Sequence, residues 1–287
     1  MNQTPPRKTS ERLVVPSLAL GAGIGLLGVL RHRFQASQVF APRPFPEDLS
    51  RPAPFGRRAE DHWFETADQR RLHGWWVAHP KARGTVLFCH GNSSTIGDQI
   101  PLLERLRPLR LNIFLFDYRG YGLSAGTPSE KGLFLDVRAA WDYLTSDLGQ
   151  PAERILLFGN SLGGAVAIDC AQARPAAGLV VQSTFTDIRS MARLRFPKLP
   201  AWVARNQFRS ADKVASLDLP KLFIHGLRDR VIPSQVGLEL YERARAPKQL
   251  YLVPKAGHRD VAVRGGRDYL RQLQRFRDQQ LPALEPS

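Results

Sequence analysis

The chain has 287 residues, 43% hydrophobic and 23% charged, a balance that suits one globular domain with a full-sized core and excludes a disordered chain. Its net charge of +15 admits nucleic acid, an anionic membrane surface or acidic partners, but the basic residues are scattered and no recognition helix, zinc finger or aromatic platform accompanies them, so no nucleic-acid partner is expected. Two cysteines, each in an apolar run, point to buried free thiols rather than a disulfide framework, and without metal-ligand spacing among Cys and His neither a metal nor a cofactor is expected.

The first element is the uncharged stretch Leu13 to Leu30, "LVVPSLALGAGIGLLGVL", with Arg7, Lys8 and Arg12 before it and Arg31 and Arg33 after it. As a helix it would reach about 27 Å, close to the hydrocarbon thickness of a bilayer. Residues 1–33 are therefore expected to be an N-terminal membrane anchor. A cleaved signal sequence is the competing reading, although its apolar region is ordinarily shorter and ends in a small-residue site. Both flanks are positive, so the charge rule does not fix the side of the membrane.

Gly23-x-Gly25-x-x-Gly28 inside this stretch has the spacing of a dinucleotide fingerprint, with Glu47 and Asp48 about where a ribose-binding acid would fall. No strand precedes the glycines, and the acids lie among Pro42, Pro44, Pro46, Pro52 and Pro54. Nucleotide binding is rejected, and residues 34–60 read as a semi-rigid, proline-rich spacer.

From His62 onward short apolar runs alternate with longer amphipathic ones, marking residues 61–280 as the main domain. "HWFET" and "RLHGWWVAHP" read as a pair of antiparallel strands. "TVLFCH", "LNIFLFD", "RILLFG", "GLVVQS", "KLFIHG" and "QLYLVP" read as buried strands separated by helices. The result is an α/β fold with a mostly parallel sheet, in which chemistry collects beyond the carboxyl ends of the strands. Cys89 and Cys170, each in an apolar run, read as buried free thiols.

Three strand ends carry the functional argument. After "ILLFG", Gly159-x-Ser161-x-Gly163 opens a helical run from about Leu162 to Ala173, the strand-turn-helix setting of a nucleophile elbow. Asp229 follows "KLFIHG", and His258 follows "LYLVPKAG" in the next strand-loop unit. Nucleophile, acid and base thus occur in the order Ser, Asp, His on three successive strand-end loops. A serine hydroxyl needs a base to take its proton. His258 supplies it, and Asp229 would orient the ring and stabilise its charged form. The developing oxyanion needs main-chain donors, expected at Leu162 and at Asn92 in the loop after "TVLFCH". His90, Gly91, Gly159 and Gly163 are expected to support these motifs, Gly91 by letting its backbone turn toward the substrate and Gly163 and Gly164 by letting the helix approach the sheet. His225 reads as structural.

The stretches "VLFCHGNSS", "LFDYRGYGLSAGTPSEKGLFLD", "ILLFGNSLGGAVA", "LFIHGLRDRVIP" and "AGH" resemble the α/β-hydrolase superfamily, and within it the Bem46-like serine hydrolases. The resemblance covers roughly residues 60 to 275. It implies an α/β-hydrolase fold and the same triad of Ser161, Asp229 and His258, and it fits an N-terminal anchor. Two departures bear on substrate preference: Asn160 stands where these relatives more often have arginine, and "ADQRRLHGWW" lacks their usual Asp-Gly turn. Arg119, in the family's "DYRGYG" loop, is expected to lock that loop rather than touch substrate.

Between "GLVVQS" and "KLFIHG" lies a segment of about 35 residues, 184–220, in the place of a lid. Its arginines alternate with Phe185, Met191, Leu194, Phe196, Trp202 and Phe208, which suggests a short apolar cap with a basic rim, suited to an acyl chain beside an anionic head group. A plain solvated connection is the competing reading. The expected function is a membrane-anchored serine hydrolase acting on a small-molecule or lipid-like ester or thioester through an acyl-enzyme. A serine peptidase of the same fold and a non-catalytic, membrane-tethered binding protein are the alternatives.

Overall fold

The structure is a computed structural model and describes residues 39–46, 59–195 and 207–283. The expected anchor and most of the expected spacer lie outside the described residues. Among those described, no helix is long and apolar enough to cross a membrane.

Eight strands form one sheet: β1 (Ala59–Glu65), β2 (Arg71–Val77), β3 (Thr85–Cys89), β4 (Asn112–Phe116), β5 (Ile155–Asn160), β6 (Gly178–Gln182), β7 (Lys221–Gly226) and β8 (Lys248–Val253). Their spatial order is β1-β2-β4-β3-β5-β6-β7-β8. β1 pairs with β2 and β2 with β4 in antiparallel fashion, and every later pairing is parallel. The chemical reason is visible in the strands themselves. β3, β5, β6 and β7 are apolar and buried almost throughout, as strands covered by helices on both faces must be. β8, expected to be equally buried, is half-buried over most of its length, because it is the sheet's edge and has a neighbour on one side only.

Seven α-helices are described: α1 (Ile100–Leu106), α2 (Glu130–Ser146), α3 (Leu162–Ala173), α4 (Ile188–Arg195), α5 (Ser210–Val214), α6 (Ser234–Arg243) and α7 (Val261–Gln280). The last is interrupted at Gly266, where φ is 52°. Helix α2 starts at Ser129, whose hydroxyl accepts the Gly132 N–H, a standard N-cap worth about 1 kcal/mol. Two apolar clusters sandwich the sheet: Phe114, Phe116, Leu157 and Val166 lie in one, and Phe88, Leu115, Phe158 and Tyr269 in the other. Cys89 and Cys170 are buried free thiols.

Two features of the first hairpin and the loop after β4 fix the frame of the site. Arg119 donates through Nη1 and Nη2 to both oxygens of Asp68 (2.8 and 2.9 Å) and through Nε to Asp136 (2.8 Å). It locks the "DYRGYG" loop to the β1–β2 turn and to α2, as expected of it. Gln69, in the turn where the relatives' Asp-Gly is missing, is held at φ 59°. That left-handed conformation is the one glycine adopts without a steric cost.

The 34–60 stretch is not a spacer throughout. Residues 39–46 lie against the domain, with Phe40 buried and Pro44 bridged to Gly122, and β1 begins at Ala59. Proline content signals stiffness, and a stiff strand docks as readily as it spans.

Candidate active site

β5 ends at Asn160 and α3 begins at Leu162, so Ser161 carries the whole reversal. Its backbone sits at φ 55°, ψ −120°, a region that L-residues avoid and that costs about 1–3 kcal/mol. Hydrogen bonds hold it there: the Ser161 N–H donates to Gln182 O (2.8 Å), while the Ser161 carbonyl accepts from the Gly164 N–H (2.9 Å) and the Thr184 hydroxyl (2.7 Å). The turn also requires the absence of side chains. A Cβ on Gly159 would lie 2.2 Å from Gly163 O, and one on Gly163 would lie 2.0 Å from Cys89 O. The sequence x-Gly-x-Ser-x-Gly therefore describes the closeness of α3 to the ends of β3 and β5.

The acid and base loops are drawn together by main-chain contact between the ends of β7 and β8. The Arg228 N–H donates to Ala256 O (2.8 Å), and a Cβ on Gly226 would come within 2.5 Å of that same carbonyl. The loop carrying His258 is tightened by the Gly257 N–H, which donates to Asp260 (2.6 Å).

The expected three side chains meet. Asp229 Oδ2 lies 2.7 Å from His258 Nδ1, and His258 Nε2 lies 3.0 Å from Ser161 Oγ. An ionised carboxylate only accepts, so Nδ1 bears the ring proton and Nε2 is left to accept from the serine hydroxyl. Asp229 Oδ1 accepts the N–H groups of Val231 (2.8 Å) and Ile232 (2.9 Å). Burial pushes the Asp229 carboxyl up, but the hydrogen bonds from His225 and His258, the His258 charge and the Ile232 amide outweigh it and hold the group well below the usual carboxylate range. Asp229 is thus ionised throughout the working range of a histidine base.

His225, read from the sequence as structural, is buried behind this acid. Its Nε2–H donates to Ile232 O (2.9 Å) and lies 3.4 Å from Asp229 Oδ2. The ring is wedged against α6, where a Cβ on Gly237 would strike it at 2.1 Å.

On the opposite side lies the loop after β3. The His90 Nδ1–H donates to Gly91 O (2.8 Å), and the ring stacks at 4.2 Å on Tyr118. Burial lowers the His90 pKa to about 4, so at neutral pH the ring is uncharged. Gly91 needs correction. Its φ is not positive, and a Cβ would meet Ser161 Cβ at 3.5 Å, ordinary contact. Glycine here keeps the space in front of the serine open rather than permitting an unusual turn. Asn92 follows, its Oδ1 accepting the Ala41 N–H and the Tyr121 hydroxyl, each at 2.8 Å. Leu162 contributes the first N–H of α3, a group without a partner inside the helix and at its positive end. Leu162 directly follows Ser161, and Asn92 follows Gly91, whose Cβ position lies 3.5 Å from Ser161 Cβ. The contact with residues 39–46 was not legible in the sequence, since nothing local marks Ala41 as a donor to a loop 51 positions away.

The segment 184–220 is described in part. Ile188 and Met191 of α4 rest on the core while Leu194 is exposed. A cavity of about 370 Å³ is lined by Arg189, Arg193 and Arg209 together with Thr186, Asp187 and Asp212. The lining is polar and basic, and residues 196–206 of the expected cap lie outside the described residues. Among them no cluster of His, Cys, Asp or Glu could hold a metal ion.

Known proteins resemble this chain in sequence and in fold. Residues 80–215 match the Hydrolase_4 family profile, described as serine aminopeptidase, S33. An uncharacterized protein of Mycobacterium tuberculosis is 38% identical over 215 residues, covering 74% of this chain and 76% of that one. The alpha/beta hydrolase domain-containing protein aho-3 of Caenorhabditis elegans is 37% identical over 206 residues, covering 71% of this chain and 60% of its own. Among solved structures, a Pyrococcus furiosus esterase superposes with a TM-score of 0.70 at 22% identity, over 85% of this chain and 98% of the other. An alpha-beta hydrolase from Vibrio vulnificus gives 0.69 at 20% identity, over 99% and 98%.

Proposed function

Since the chain belongs to the α/β hydrolases, we propose that it is a serine hydrolase of the Bem46-like kind that cleaves a carboxylic ester or thioester through an acyl-enzyme on Ser161. The observation that carries the reading is the continuous relay from Asp229 through His258 to Ser161, at 2.7 and 3.0 Å, with the serine raised on a strained turn.

In this mechanism Ser161 Oγ attacks the carbonyl carbon as its proton passes to His258 Nε2. The carbonyl electron pair moves onto oxygen, where the Asn92 and Leu162 N–H groups stabilise it, a contribution of about 3–4 kcal/mol per donor in comparable sites. The intermediate collapses, the bond to the alkoxide or thiolate breaks, and His258 returns the proton to that leaving group. Water then attacks the acyl-enzyme by the same route and frees the acid. Asp229 remains ionised throughout, orienting the ring and stabilising the imidazolium.

Attachment to a membrane through residues 1–33 belongs to the same proposal and is supported by the uncharged length of Leu13–Leu30. The matched profile's description supports a second reading, release of an amino acid from a peptide amide, because the same relay attacks amides.

Fluorophosphonate labelling of the detergent-solubilised chain beside Ser161→Ala and His258→Ala, with p-nitrophenyl esters of graded chain length and aminoacyl p-nitroanilides in parallel, tests the proposal. Labelling and ester turnover that vanish in Ser161→Ala support the esterase. Faster turnover of anilides than of esters favours the peptidase. A folded wild type that neither labels nor turns over either substrate refutes both.

A further inference from the structure

Asn92 is tied to a part of the chain that precedes the domain. Residues 39–46 run across the mouth of the loops after β3 and β4 and are fixed along their length. Phe40 is 3% exposed and meets the ring of Phe208 edge-on at 6.0 Å. The Ala41 N–H donates to Asn92 Oδ1 at 2.8 Å. The carbonyl of Arg43 accepts the Gly122 N–H at 2.8 Å, and Phe45 lies edge-on against His73 and Trp75 at 5.8 and 5.7 Å.

The Ala41 bond falls on one atom that already accepts the Tyr121 hydroxyl, also at 2.8 Å. A carbonyl oxygen has two lone pairs, so both are used and the Asn92 side chain is locked from two directions. Its own main chain is thereby held in one orientation. The hydrogen bonds come from residues 51 and 29 positions away in the chain.

We propose that residues 39–46 are a positioning element of the active site, clamping Asn92 so that its main-chain N–H stays aimed at the oxyanion. The proposal rests on the reading of Ser161 as the nucleophile. Phe40 seats the segment beside Asn92 and Ala41 delivers the hydrogen bond, while Phe45 packs on the first hairpin and takes no part in the clamp. Because oxyanion stabilisation acts in the transition state and not on bound substrate, loosening the clamp lowers kcat and leaves KM in place.

Ala41→Pro removes the N–H donor, and because it also fixes φ at position 41 and restricts Phe40 before it, Tm is read beside kcat. Phe45→Ala removes packing at the far end, away from Asn92, and serves as the structural control. In the full chain, kcat and KM for p-nitrophenyl butyrate, Tm, and amide hydrogen exchange across residues 91–96 are measured for both variants and for Tyr121→Phe. Ala41→Pro is expected to lose about 10- to 100-fold in kcat with KM within about twofold, as a small misplacement of one oxyanion donor does. Exchange across 91–96 rises with it, and Tyr121→Phe moves in the same direction. Phe45→Ala is expected to lower Tm while keeping kcat.

The proposal is overturned if Ala41→Pro keeps wild-type kcat and wild-type exchange, or if kcat follows Tm across all the variants, including Phe45→Ala. A wild type without turnover removes the hydrolase reading, and exchange across 91–96 then decides the clamp by itself, unchanged exchange in Ala41→Pro refuting it.

Discussion

Gly163→Ala tests whether the site depends on how closely α3 approaches the sheet. A Cβ at this position would lie 2.0 Å from Cys89 O and 2.6 Å from His90 O. Both are main-chain atoms at the end of β3 and cannot rotate away. Ordinary contact needs about 3.4 Å, so the start of α3 must retreat by more than an ångström. That retreat carries Leu162 and Ser161 away from the Gly91–Asn92 loop, and a misplacement of about 1 Å costs on the order of 100-fold in rate. The overpacking itself is worth about 1–3 kcal/mol. For a domain of this size that lowers Tm by roughly 2–12 °C. The assay is kcat for a p-nitrophenyl ester beside thermal unfolding followed by circular dichroism. Gly164→Ala is the comparison: its Cβ would meet the Thr184 side chain at 2.5 Å, a group that can turn at the loss of its bond to Ser161 O, so its effect should be smaller. If Gly163→Ala keeps kcat within threefold of wild type at an unchanged Tm, the argument from close approach is wrong.

Three other outcomes follow from the described geometry. Arg119→Lys loses the bidentate fork onto Asp68 and the bond to buried Asp136, so unfolding should show a loss of about 2–4 kcal/mol, with kcat little changed because Arg119 does not touch the triad. Asp117 is fully buried, and burial raises its pKa to about 8, whereas an unfolded aspartate titrates near 3.9. Between about pH 4 and pH 8 the native state therefore keeps a proton that the unfolded chain releases, so this group's contribution to stability falls as pH rises through that window. As pH rises across that window the Tm of Asp117→Asn should rise relative to that of the wild type, and equal slopes would contradict this account. Gln69→Gly should stabilise the fold by up to about 1 kcal/mol, since it relieves a left-handed φ of 59° at some cost in chain entropy; denaturant unfolding reads the difference.

The sequence alone determined the α/β class, because runs such as "TVLFC" and "ILLFG" are apolar without alternation, as strands covered on both faces are, and they recur between longer amphipathic runs. It also ordered Ser161, Asp229 and His258 on successive strand ends, since motif, chain order and position after a strand are all local facts. Tertiary structure decided what depends on residues distant in sequence. The relay distances arise from Gly226 meeting Ala256 O and from α3 resting on Cys89 O, contacts that no window of sequence contains. Gly91 was misread for the same reason: its neighbour is Ser161, 70 positions on, and not its own φ. The seating of Phe40 and Ala41 was hidden because a proline-rich composition reports stiffness and says nothing of which surface a stiff segment meets. A hydrogen bond from Ala41 to Asn92 is a statement about proximity, and proximity across the chain is what folding, not local pattern, supplies.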